Sequence, residues 1–210
     1  MFSHQIDENL SLELPQMHHA EELTAVVLEN LERLKIWMPW AVHDYSVESA
    51  RFFIQRNLRG LSESGSFGLL IRYDGKLAGT IGFHDLDTVN RSAHIGYWIA
   101  KDFEGRGIMT CCCRVLIDYL FESMELNRVQ INCNVENTRS RAIPERLGFK
   151  LEGVLRQVEF INGEFGDWAV YGLLKSEPPA VAGGLTPPTN AADSTTQLQP
   201  PATAGGSDKL

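Results

Sequence analysis

The segment best suited to chemistry is a glycine turn, Glu104-Gly105-Arg106-Gly107, which follows the run Ile95-Gly96-Tyr97-Trp98-Ile99 and opens directly into a helical pattern. Glycine lets a backbone approach a ligand closely, and the first N–H groups of a helix have no partner inside it. With the partial positive charge of a helix start, such groups suit a pyrophosphate. A bare G-x-G also marks ordinary strand-to-helix turns, so this motif alone leaves both readings open. Two other phosphate sites are excluded by spacing, because neither G-x-G-x-x-G in an early strand-helix-strand unit nor G-x-x-x-x-G-K-[ST] occurs. A second block, Asn137-Thr138-Arg139-Ser140-Arg141 to Leu147-Gly148-Phe149, follows a strand about thirty residues later.

Taken in order and spacing, these pieces resemble a known family. Asn90-Arg91-Ser92-Ala93 before Ile95-Gly96-Tyr97-Trp98, the glycine turn, and Asn137-x-x-Ser140 ending in Leu147-Gly148-Phe149 are similar to the GNAT superfamily of N-acetyltransferases, specifically its ribosomal-protein N-terminal acetyltransferase (RimJ/RimL) branch. The resemblance covers residues 8 to 176. It implies acetyl-CoA as co-substrate and a primary amine as acceptor, first the N-terminal amine of a ribosomal protein. A small amine or aminoacyl-type antibiotic, or a non-catalytic acyl-CoA sensor, are the alternatives.

The resemblance also distributes roles over residues. The family's Q-x-x-G-x-G/A motif falls on Glu104, Gly107 and Met109, so two of its three positions depart. The expected cofactor contacts are Trp98 and Ile99 at the strand end, then Gly105, Arg106, Gly107, Ile108, Met109 and Thr110, with Asn137 and Ser140 across the groove. A tyrosine acid common in the family would stand where this chain has Pro144. Ser140 is left to face the cofactor sulfur and stabilise developing thiolate charge, and it is equally suited to cap a helix. Pro144 suggests that this helix begins near it. The position that often carries a glutamate base in relatives holds His94, whose imidazole could deprotonate an amine through water. His84 is a second candidate on the acceptor side. Trp37 and Trp40 form an aromatic wall for the acceptor or pack in the core.

These residues need a scaffold, and hydrophobic periodicity supplies one. Helical spacing runs over Glu21–Leu34 and Val47–Glu63, and strands over 67–72 and 77–83 meet at the turn Tyr73-Asp74-Gly75-Lys76. A third strand, 93–99, completes a meander in which His94, Gly96 and Trp98 share one face. A helix (Gly107–Met124), a strand (129–135), a short helix (Ser140–Leu147) and strands near 149–155 and 168–174 follow. The expected fold class is α+β: the GNAT fold, a mixed, mostly antiparallel twisted sheet of about six to seven strands flanked by helices.

Composition bounds the rest. The 210 residues, 43% apolar and 22% charged, suffice for one core, expected in residues 1–177, with a Pro/Gly/Ala/Thr-rich tail from 178 to 210 that has no aromatic residue to order it. A net charge of −8 argues against nucleic acid. Without a signal peptide or a run of eighteen apolar residues, a cytoplasmic location and no membrane partner are expected. Cys111, Cys112 and Cys113 are consecutive on a helix and read as core fillers, and with Cys133 alone on a strand no metal is expected. Oligomeric state is not legible.

Overall fold

The computed structural model describes residues 3–63 and 67–177, so the expected tail lies outside the described residues. Strands β1 (Ser3–Gln5) and β2 (Leu10–Glu13) come first, then helices α1 (Ala20–Glu29), α2 (Leu31–Trp37) and α3 (Val47–Glu63). The meander β3 (Phe67–Tyr73), β4 (Lys76–Asp87) and β5 (Ser92–Ile99) leads into α4 (Ile108–Asp118). After it come β6 (Arg128–Asn134), α5 (Thr138–Arg146), β7 (Lys150–Ile161) and β8 (Glu164–Leu174). The sheet has eight strands in the order β1-β2-β3-β4-β5-β6-β8-β7, antiparallel throughout except between β5 and β6.

The alternation of each strand sorts its side chains onto two faces. Ile81, Phe83, Ala93 and Ile95 enter one core with Cys112, Cys113 and Leu116 of α4. Leu70, Leu77 and Trp98 enter a second core with Leu23 and Val27 of α1 and Ile54 of α3. Cys112 and Cys113 are thus core residues as expected, whereas Cys111 is exposed. Asp74 and Gly75 both adopt positive φ, the conformation a tight hairpin turn between β3 and β4 requires.

Sequence periodicity departs from the structure at four points. The sheet gains the short N-terminal hairpin of β1 and β2, whose first strand is exposed along its length and carries no burial pattern. The helix expected over Glu21–Leu34 is two helices, because the Asn30 side chain donates to Val26 O (2.9 Å) and accepts from Lys101 N (2.8 Å), breaking the helix to brace the turn ahead of Glu104. The Gly107–Met124 helix passes into a wider π-type turn at Tyr119–Ser123. The last helix starts at Thr138, with Pro144 well inside it.

The buried Asn57 of α3 pins the start of β3. Its Oδ1 accepts from Gly68 N, and its Nδ2 donates to Phe53 O at 2.8 Å. Asn57→Ala should destabilise the fold by about 1–3 kcal/mol, because Gly68 N–H would lose its partner in a buried place. Urea unfolding with an unchanged midpoint would contradict this.

Candidate active site

β5 and β6 pair only at Ser92, Ala93 and His94, opposite Arg128, Val129 and Gln130. Beyond His94 the two strands part, so Ile95–Ile99 keeps its β4 partner but has none on the β6 side. Two cavities, of about 870 and about 890 Å³, open at this split and share Trp37, Met38, Tyr97, Trp98, Asn137 and Ser140. Two ligands entering from different sides would therefore meet at Tyr97 and Ser140.

One cavity is the groove of the glycine turn. Gly105 (φ 73°) and Gly107 (φ 76°) take left-handed conformations, and a Cβ on either would meet nothing within 4 Å. Gly107 caps α4 without a side-chain bond, and the first helical bond runs from Cys111 N to Gly107 O (3.1 Å). The N–H groups of residues 108–110 are thus free of helical partners, and Ile108, Met109 and Thr110 line the groove. The Met109 side chain turns into the core, so its bulk leaves the groove open. Trp98 and Ile99 lie on the same wall. Arg106 does not line the groove; its guanidinium stacks over the rings of Tyr73 and Phe103, 5.7 and 5.9 Å from their centroids. The cations that do line it are elsewhere: Glu104 is bonded by Arg33 of α2 and Arg139 of α5, and Arg146 also contributes to the wall. Arg33 Nη1 is buried without a hydrogen-bond partner, the one such side-chain atom among the described residues. The motif glutamate is thus turned onto two arginines that sequence spacing does not link to it.

The other cavity is walled by aromatic residues and floored by the sheet. Trp37 and Trp40 both line it, Trp40 packing 6.0 Å from Trp98 and 6.0 Å from Tyr45, so the pair forms a wall and not a sealed core. Glu159 and Trp168 contribute from β7 and β8, whose hairpin tip is tied to α2 by Asn162 Nδ2 donating to Lys35 O at 3.0 Å. His84 and His94 stand opposite one another on β4 and β5 at the mouth, with Asp85 beside both. Burial holds His94 below the ordinary imidazole value, with His84 and Arg128 acting the same way against Asp85.

At the junction, α5 explains how Ser140 is held. The cap is Asn137, whose Oδ1 accepts from Ser140 N at 3.1 Å, so Ser140 sits one turn inside and its hydroxyl is not the cap. Pro144, four residues on, has no N–H to give the Ser140 carbonyl. Tyr97 Oη donates to that carbonyl instead (3.2 Å) and accepts from Ser140 Oγ (3.4 Å). Burial pushes the Tyr97 phenol well above its ordinary range, so it stays a neutral donor. Sequence reasoning overlooks Tyr97, although a proline inside a helix is itself a signal that a carbonyl needs another donor. Arg141 Nε fastens α5 to β8 by donating to Tyr171 Oη (3.0 Å). Tyr97→Phe should cost about 1–3 kcal/mol by orphaning the Ser140 carbonyl, and adding Pro144→Ala should recover part of that by restoring a backbone donor. Additive losses in a double-mutant cycle would refute the exchange.

Comparison with known proteins accords with this geometry. The family model described as an acetyltransferase (GNAT) domain matches residues 9–150. The chain is 44% identical over 184 residues to the protein named "Putative ribosomal N-acetyltransferase YdaF" of Bacillus subtilis (strain 168), covering 84% of this chain and 97% of that one. Among solved structures it is similar to the RimL ribosomal L7/L12 alpha-N-protein acetyltransferase in complex with coenzyme A, with a TM-score of 0.79 at 28% identity over 82% of this chain and 98% of that one. It is also similar to the microcin C7 self-immunity acetyltransferase MccE in complex with acetyl-CoA and AMP, with a TM-score of 0.77 at 31% identity over 80% and 94% of the two chains. A match over more than half of the chain leaves one conclusion: the chain belongs to the GNAT acetyltransferase family.

Proposed function

We propose that the protein transfers the acetyl group of acetyl-CoA to a primary amine, and that the amine is the N-terminus of a ribosomal protein. The observation that carries this reading is the meeting of two cavities at Tyr97 and Ser140, where the β5–β6 split lets a thioester reach an acceptor. In it, the diphosphate lies on the backbone amides of Gly105 to Thr110, which the left-handed glycines and the uncapped start of α4 turn toward the groove. The pantetheine arm bonds the unpaired side of β5 at Ile95–Ile99, and Asn137 and Ser140 flank the thioester. As the C–S bond breaks, the Ser140 hydroxyl turns from Tyr97 Oη and donates to the sulfur on which charge develops. Trp37 and Trp40 enclose the acceptor chain, and its ammonium reaches the imidazoles of His84 and His94, one of which must take a proton before nitrogen can attack. The RimL likeness supports the choice of a ribosomal protein as acceptor.

Treating a ribosomal-protein extract with the enzyme and isotopic acetyl-CoA, followed by mass spectrometry, tests the acceptor. Label on one protein's α-amine is expected, and label confined to small amines would overturn that choice. Ser140→Ala should lower kcat at least about tenfold while the KM for acetyl-CoA barely moves, because the hydroxyl matters as charge develops. Since Asn137 is the cap, the melting temperature should hold.

Glu104→Gln should tighten coenzyme A binding about two- to fivefold. It raises the net charge of Arg33, Glu104 and Arg139 from +1 to +2 beside the proposed diphosphate. Calorimetry should find the gain reduced at high salt, since exposed charges are screened. Weaker binding would mean that the carboxylate's hold on the arginines matters more than its charge.

A further inference from the structure

We propose that His84, oriented by Asp85, is the base that deprotonates the acceptor, with His94 as its neighbour. This inference rests on the acetyl-transfer reading and names the group that performs one of its steps.

The argument begins with a backbone irregularity. β4 and β5 pair in register from Gly79 to His84, then shift between His84 and Asp87. Within the shift Asp85 takes a positive φ of 51°, a conformation that aspartate tolerates better than most residues. In a regular strand His84 and Asp85 would point to opposite faces. The bulge brings them together, so that His84 Nδ1 lies 2.9 Å from Asp85 Oδ2. The cross-strand His94 Nδ1 is 3.6 Å from the same oxygen, beyond a hydrogen bond.

An ionised carboxylate can only accept, so the hydrogen of neutral His84 resides on Nδ1 and the lone pair on Nε2. That nitrogen lies beside Gly96 of β5, and both residues line the cavity. A Cβ added to Gly96 would stand 3.5 Å from it, an ordinary van der Waals distance, so the ring lies against the β5 backbone there. Gly96 is opposite Gly82, and Gly82 is opposite Gly68, so none of the three adds a side chain of its own to this part of the floor. The next residue on β5 is Tyr97, at the junction of the two cavities. His84 Nε2 thus lies at the level of Gly96, two residues further along β5 than His94, the register partner of His84. The other charged groups near the pair are Arg128, which acts on His94, and Arg56 and Glu159 on the cavity wall.

The step balances as follows. His84 Nε2 takes one proton from the acceptor ammonium, directly or through one water. The freed nitrogen pair forms the N–C bond, the C–S pair leaves on sulfur, and the second nitrogen proton goes to the thiolate. His84 then returns its proton to solvent.

The test uses the full chain as wild type, Asp85→Asn, Asp85→Glu, His84→Gln and His94→Gln, with kinetics across pH and ¹⁵N imidazole spectra. His84→Gln should lower kcat about 100-fold near neutral pH, more than His94→Gln does. Asp85→Asn should lower it about tenfold, with partial rescue by Asp85→Glu. Neither Asp85→Asn nor His84→Gln should alter the KM for acetyl-CoA, and both losses should shrink once pH exceeds the amine's own pKa. The spectra should place hydrogen on Nδ1 of His84 in wild type and not in Asp85→Asn. Hydrogen on Nε2 in wild type, a loss independent of pH, or a larger effect from His94→Gln would overturn the assignment. A wild type that acetylates no amine would bring down the transfer reading as well, whereas active wild type with unimpaired His84→Gln sinks only the base.

Discussion

The structure depends on one interruption: the parallel pairing of β5 and β6 stops after three residues on each strand. In a closed sheet, the backbone groups of Ile95–Ile99 would be spent on their neighbour. Parting the strands leaves those groups to be satisfied by something else, since buried peptide groups seldom go without partners. It also connects two cavities that a continuous sheet would keep apart. A mixed sheet allows this more readily than a wholly antiparallel one, because β5 and β6 are joined through α4 and not by a tight turn.

Around the split, electrostatics are assembled locally in a chain whose net charge is negative. The chain carries −8 overall, yet Arg33, Arg139 and Arg146 line the groove, and the uncapped start of α4 adds its own partial positive charge. Glu104 is compatible with this setting because two guanidinium groups hold its carboxylate. The same contacts join α2 to α5 across the groove. Arg106, the cation nearest in sequence, is instead stacked on aromatic rings, which shows how little adjacency along the chain says about which charge a ligand meets.

A comparable exchange occurs at the junction. Pro144 removes a backbone donor from α5, and the phenol of Tyr97 supplies one from the neighbouring strand. What would be a local defect in an isolated helix becomes a tie between helix and sheet. The mouth of the other cavity follows similar logic, in that a bulge unfavourable to pairing places Asp85 beside two histidines.

Much of this was legible in the sequence. Periodicity of 3.6 or 2 residues, the Asp74-Gly75 turn and the apolar stripe of α3 depend on short-range sterics and burial, so the α+β class and the element order after the N-terminal hairpin, apart from the break at Asn30, follow from the chain alone. The glycine turn was legible for the same reason, because positive φ at Gly105 and Gly107 is a local property of glycine. Tertiary structure alone decided which groups meet. The break at Asn30 needs Lys101, 71 residues away, and the hold on Glu104 needs Arg33 and Arg139, 71 and 35 residues away. Tyr97 finds Ser140 at a separation of 43. The bulge at Asp85 depends on the register with β5, which no pattern within β4 specifies. Hydrogen bonds and ion pairs act over about 3–4 Å whatever the separation along the chain, so only the packed fold can select those partners.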